Sequence, residues 1–356
     1  MVHARCPRET MRGRNGTRPC PTWGHEGTQW YTPRYTLPPP ADIVRSRMEP
    51  QKKSVDGVVL VDKISGITSH DVVERFRRRA KIKKVGHTGT LDPLATGLLV
   101  LCAGKATRLQ AYLMGMEKTY EGTIQFGWAT DSYDAAGTPA GEPVERSIEG
   151  VDLAPHVAKF RGEIEQMPPA FSAKKIDGVR AYELARKGEE VKLQPKRVTV
   201  YEFEIVKVEG STAQFRVRSS AGTYMRSIAH DLGQSLGIPA HLKELRRTAI
   251  GNFNVRDAIP FDKLAESGPD VLLAKPHFQS LADIDLPLEK LRIDWAQQGR
   301  LMQGQGVIMV PPVPLRKGDL LALGNPHDQL VAIAEVVNVL REGGPVEVRP
   351  KVVLAG

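Results

Sequence analysis

Short apolar runs, interleaved irregularly with helix-patterned stretches, constrain this chain more than any single motif. Gly57-Val58-Val59-Leu60-Val61 and Leu98-Leu99-Val100-Leu101 each predict a buried strand. Tyr120 to Gly127 alternates weakly and predicts another. Ile205, Val206 and Val208, followed by Phe215 and Val217 between Arg216 and Arg218, predict a hairpin with one wet face. Val72, Val73, Phe76 and Ala80 share one helical face, and Thr68 with Asp71 predicts a capping box with Asp in place of Glu. Met225, Ile228, Ala229, Leu232 and Leu236 form a second helical stripe, stopped at Gly237. This order lacks a regular β-α-β alternation, so the expected class is α+β rather than a doubly wound sheet.

The chain has 356 residues, enough for two domains. Residues 1–55 carry Pro38-Pro39-Pro40, many arginines and no apolar period. They are expected to be disordered or untranslated, with Met48 a natural start; the alternative is a basic arm. The pattern loosens near 260–287, where Pro260, Pro269, Pro276 and Pro287 fall. Runs at Gly306–Val310, Asp319–Leu323 and Leu330–Ala334 then predict a small β-rich module.

The formal net charge of +9 suits a phosphate-rich partner without identifying one. Arg75, Arg77, Arg78 and Arg79, continued by Lys81, Lys83 and Lys84, form either a solvated helix face or a phosphate-contacting strip. Cys6, Cys20 and Cys102 are odd in number and lack CxxC spacing, which argues against a disulfide framework or zinc site and fits a reducing cytosol. Cys102, after the run 98–101, reads as a small core residue. No run approaches the roughly 20 apolar residues of a membrane span, and no signal-peptide core is present. A soluble, cytoplasmic protein is expected.

One loop stands out, "GHTGTLDPLATG" at 86–97. It is not a Walker A loop, a dinucleotide fingerprint or a G-x-S-x-G elbow. His87 and Asp92, five apart, lack a third metal ligand nearby. What remains is an acid on a tight turn, with Pro93 biasing Asp92 toward extended backbone. Locally, Asp92 reads either as a turn former or as a catalyst.

The loop belongs to a longer segment, "KVGHTGTLDPLATGLLVLCAGKATRL", which resembles the catalytic segment of the TruB family of tRNA pseudouridine synthases. The resemblance continues in "EKTYEGTIQFGWATDSYDAAG", "QMPPAFSAKKIDGVRAYELARKG" and "SSAGTYMRSIAHDLGQSLGIPAHLKELRRTAIG", in the family's order and spacing. It implies the pseudouridine synthase fold, with a mixed, mainly antiparallel sheet over 56–260 and an RNA-clamping insertion at about 163–190. A linker at 261–286 would follow, then a PUA-like RNA-binding barrel at 287–356, for which "LMQGQGV" and "VRPKVVL" are the matching parts. The implied activity is isomerisation of uridine 55 in the T stem-loop of tRNA, without metal, cofactor or protein partner, by a monomer. The alternative is a non-catalytic tRNA-folding chaperone of the same fold.

The same resemblance implies roles residue by residue. Asp92 would be the essential carboxylate, acting as nucleophile or as base at the ribose. Tyr120 would stack on a flipped-out base. Tyr224 and Arg226 would complete the pocket, with Arg226 paired to Asp92. Leu245 would floor the uracil site, and His87 would fill the space the base leaves. Lys174, Lys175 and Arg180, with Arg186 and Lys187, would face the RNA backbone. Phe171 stands where the family usually has tyrosine, which removes any hydrogen bond from that hydroxyl.

Overall fold

The computed structural model describes residues 55–169 and 193–354, with the backbone of two short paired strands, Lys175–Ile176 and Val179–Arg180. The expectations for residues 1–54, and for the side chains of Phe171, Lys174, Lys175, Arg180, Arg186 and Lys187, lie outside the described residues. Among those described, no helix is long and apolar enough to cross a membrane.

The chain runs β1 (Gly57–Lys63), α1 (Ser69–Ala80), β2 (Val85–His87), β3 (Thr96–Ala103), β4 (Lys118–Phe126) and β5 (Gly162–Gln166). It continues as β6 (Lys196–Glu209), β7 (Thr212–Ser219), α2 (Met225–Leu236) and β8 (Ala240–Ile250). The strands form one sheet in the order β1-β3-β8-β4-β7-β6-β5, with β2 also paired to β3. Within that order only β3 with β8 is parallel. The α+β class and the mainly antiparallel sheet are therefore as predicted.

The unbroken apolar runs have a simple cause. Val59, Val61, Leu99 and Leu101 enter a core shared with α1 and α2. Val58, Leu60, Leu98, Val100 and Cys102 point the other way, into a second core with Ile284, Leu286, Ile333 and Leu354. Both faces are covered, so polar alternation disappears. The β6–β7 hairpin keeps its wet face: Phe203, Phe215 and Val217 are buried, while Glu202 and Glu117 bind Arg218, each at 2.8 Å.

Helix α1 starts at the predicted capping box. The Asp71 amide donates to Thr68 Oγ1 at 3.1 Å, and the Thr68 amide donates to Asp71 Oδ2 at 2.8 Å. Helix α2 ends at Gly237, whose φ of 66° is left-handed.

The stretch 261–286 is built into the first sheet. α3 (Phe261–Glu266) and α4 (Pro269–Leu272) bury Leu264 and Leu272 in the first core, and β9 (Phe278–Ser280) pairs antiparallel with β1. Beyond it come β10 (Glu289–Arg292), α5 (Trp295–Met302), β11 (Val307–Met309), β12 (Leu320–Gly324), β13 (Leu330–Val339) and β14 (Val346–Val353). They form a five-stranded sheet in the order β10-β12-β13-β14-β11. Ile333 and Leu354 anchor it on the second core.

Asp231 on α2 yields a stability prediction. Burial pushes its carboxyl up from 3.8 to about 6. The folded chain therefore binds the proton more tightly than the unfolded one, and stability falls as pH rises from about 4 to 6. Asp231→Asn is expected to stabilise the protein by on the order of 1 kcal/mol at pH 7.5, discounted for partial solvent contact, and not at all below pH 4. Thermal melts at both pH values test this; an equal gain at both would contradict it.

Candidate active site

The 86–97 loop is fixed by three sets of hydrogen bonds to its main chain and by one close backbone approach. The Ala95 amide donates to the Asp92 carbonyl at 3.0 Å, closing the turn at Pro93. Ser69, at the start of α1, both donates to the Leu91 carbonyl and accepts from the Leu91 amide, at 3.1 and 2.8 Å. Buried Lys63 Nζ donates to the carbonyls of Asp92, Pro93 and Ala95 at 3.2, 3.2 and 2.6 Å. Gly97 (φ 96°) is required: a Cβ there would lie 2.3 Å from the Arg247 carbonyl oxygen on β8.

This frame leaves the Asp92 carboxylate partly open, 39% exposed, with Oδ2 at 3.0 Å from Arg226 Nε. Arg226 sits in the first turn of α2 and is itself buried. Its Nη1 donates to the Ser132 carbonyl at 3.1 Å and lies 3.6 Å from Asp134 Oδ2. Asp134 is buried and also accepts from Ser132 Oγ at 2.6 Å and the Ala136 amide at 3.0 Å. One guanidinium thus spans two carboxylates, and this double restraint holds the Asp92 rotamer.

Tyr224 precedes α2. Its amide donates to Gln166 Oε1 at 2.8 Å, and its carbonyl accepts from Gln166 Nε2 at 2.9 Å. Tyr120 comes from β4 and Leu245 from β8, both buried. Asp92, Tyr120, Tyr224, Arg226 and Leu245 line one cleft of about 300 Å³. An aromatic wall, an apolar floor and a carboxylate held by a guanidinium suit a flat, neutral ring whose attached carbon meets a nucleophile or base.

His87 does not line that cleft. It lies on β2, half-buried, its Nδ1 accepting from the Gly89 amide at 3.3 Å and its carbonyl from Gln110 Nε2 at 2.7 Å. Burial, then the charge of Arg247, holds its imidazole below the usual histidine range. A larger groove of about 960 Å³ over Glu121, Gln214, Arg216 and Arg246 touches Leu245 but not Asp92. The basic strip runs up to the loop: Arg75, Arg78, Arg79, Lys81, Lys83 and Lys84 are exposed, whereas Arg77 binds Glu74 at 2.6 Å.

Sequence reasoning missed the buried cations. Arg247 donates to the carbonyls of Leu98, Gly89 and Thr90 at 2.8, 3.0 and 3.4 Å. Lys118 donates to the carbonyls of Met114 and Met116 at 2.8 and 2.6 Å. Burial lowers Lys63 and Lys118 each to about 8; Asp92 opposes the shift at Lys63, whereas Arg247 adds to it at Lys118. The available signal was the Arg246-Arg247 pair in a strand: alternation sends one outward, to Asp62 at 2.7 Å, and the other inward.

Residues 77–225 match the model of the TruB family pseudouridylate synthase N-terminal domain, and 226–291 that of the tRNA pseudouridylate synthase B C-terminal domain. The chain is 45% identical over 279 residues to the tRNA pseudouridine synthase B of Solibacter usitatus, covering 76% of this chain and 95% of that one. It is 42% identical over 260 residues to that of Aquifex aeolicus, covering 72% and 88%. Among solved structures, a chain of an H/ACA ribonucleoprotein bound to a substrate RNA containing 2′-deoxyuridine matches with a TM-score of 0.64 at 25% identity, covering 84% of this chain and 85% of that one.

Proposed function

The chain belongs to the TruB family of pseudouridylate synthases, and from that membership we propose that it isomerises uridine 55 in the T loop of tRNA to pseudouridine. The observation that carries the reading is the Asp92 carboxylate, 3.0 Å from Arg226 in a cleft also lined by Tyr120 and Leu245. The uridine flips out of its loop and enters between these walls, at a cost of a few kcal/mol that stacking offsets. Asp92 acts on the ribose as nucleophile or base, and Arg226 holds it there. Tyr224, fixed by Gln166, closes the pocket. His87 fills the space left in the RNA.

Lys174, Lys175 and Arg180 grip the RNA backbone from the insertion at about 163–190. Residues 56–260 carry the chemistry, and the PUA-like module at 287–356 adds RNA contacts. The enzyme works in the cytoplasm as a monomer, without metal, cofactor or protein partner.

Single turnover of an unmodified T-arm minihelix tests the activity. Pseudouridine at the T-loop uridine supports the reading. Tight binding by the wild type without isomerisation would favour the chaperone instead. Binding should also be salt-sensitive: if Arg75, Lys81, Lys83 and Lys84 each neutralise a phosphate, affinity falls roughly 100-fold between 50 and 200 mM salt. Replacing Lys83 and Lys84 by glutamine should shallow the log–log slope by about 2. A flat affinity would contradict the strip's role.

A further inference from the structure

Lys118 and Arg247 are 6% and 1% exposed, yet both abut the cleft that holds Asp92. They come from adjacent strands, with Arg247 registered opposite Tyr120. Both reach the turn at Gly89, where a Cβ would lie 3.7 Å from Lys118 Cε and from Arg247 Nη1. Their main-chain partners, and the Tyr120 hydroxyl that bonds Arg247, satisfy N–H groups but carry no net charge, and among the described residues neither forms an ion pair with a carboxylate. Asp92 and Asp134 are both committed to Arg226. In the same wall, buried Thr88 Oγ1 has no hydrogen-bond partner. Among carboxylates, only the charge of Asp92 favours the Arg247 cation, without an ion pair, and burying cations so weakly compensated is costly, so the wall presents a positive potential to whatever occupies the cleft.

The isomerisation supplies a transient negative charge there. The N1–C1′ bond breaks and its electron pair leaves with the uracil, spread over N1, O2 and O4. The base turns, C5 forms a bond to C1′, the C5 proton is lost, and a proton ends on N1, so the atoms balance. We propose that Lys118 and Arg247 form an electrostatic wall that stabilises the detached uracil as an anion, with the Thr88 hydroxyl available to donate to it. The neutral uridine gains little from this wall and the departing base gains much, which is the differential that lowers a barrier. The inference rests on the isomerase reading above.

The test compares leaving groups. A 5-fluorouracil ring is the stronger acid and leaves more readily, so it depends less on the wall. T-arm minihelices carrying uridine or 5-fluorouridine at the target are used, and loss of the N-linked nucleoside is followed in single turnover. Lys118→Met is expected to slow uridine about 100-fold and 5-fluorouridine about 10-fold or less. Lys118→Arg, which keeps the charge, should restore most of the uridine rate. Lys118→Gln carries the same comparison if the methionine variant does not fold. Equal losses on the two substrates, or no loss on either, would overturn the wall while leaving the isomerase reading intact. A wild type inactive on both substrates would overturn both.

Discussion

Asp92→Ala is expected to fold, to bind tRNA within a few-fold of wild type, and to lose about 10⁴-fold or more in single-turnover isomerisation. The fold survives because the turn is held through main-chain groups of residues 91–95, which Lys63 and Ser69 grip and the substitution leaves in place. The lost carboxylate is 39% exposed, so its ion pair contributes at most about 1 kcal/mol to stability. Arg226 keeps Asp134 and the Ser132 carbonyl as partners. Rate and stability therefore separate cleanly at this position. Turnover within tenfold of wild type would remove Asp92 from the chemistry.

Arg226→Met is expected to damage both rate and stability. The guanidinium is 6% exposed and Asp134 is 8% exposed, so its removal leaves a buried carboxylate without a cation. A loss of about 3 kcal/mol is expected in urea unfolding. Isomerisation should fall roughly 100- to 1,000-fold as the Asp92 rotamer loses its restraint. Arg226→Lys should recover only part of either, because an ammonium cannot span two carboxylates as a planar fork does. Adding Asp134→Asn to Arg226→Met should recover stability and not rate. Recovery of both by the double variant would mean that Arg226 serves only to neutralise Asp134.

Much of the first sheet was legible because its signals are local. β1 and β3 announced themselves by unbroken apolar runs, and α1 by Thr68 and Asp71. The stretch 261–286 was not legible. Its prolines break any period, and Leu264, Leu272 and Phe278 are too sparse to form one, although all three pack on the first core. At the site, no spacing rule links Asp92 to Arg226 across 134 residues of sequence. Their juxtaposition followed from family-like blocks and not from periodicity. Arg247, Lys118 and Lys63 were hidden for a physical reason: a cation in a strand or at its end reads as solvated, and only carbonyls gathered in three dimensions make its burial tolerable. His87 was named only through the family-like blocks, as the residue that fills the space the base leaves, and its Nδ1 accepts from the Gly89 amide at 3.3 Å on the same loop.

The most direct measurement is to incubate the wild-type protein with a full-length, unmodified tRNA transcript and map pseudouridine at nucleotide resolution, with Asp92→Ala in parallel. The predicted result is one pseudouridine, at position 55, made by the wild type and not by the folded variant. A wild type that binds the transcript but leaves every uridine unchanged, or a variant that modifies position 55 at the wild-type rate, would contradict it.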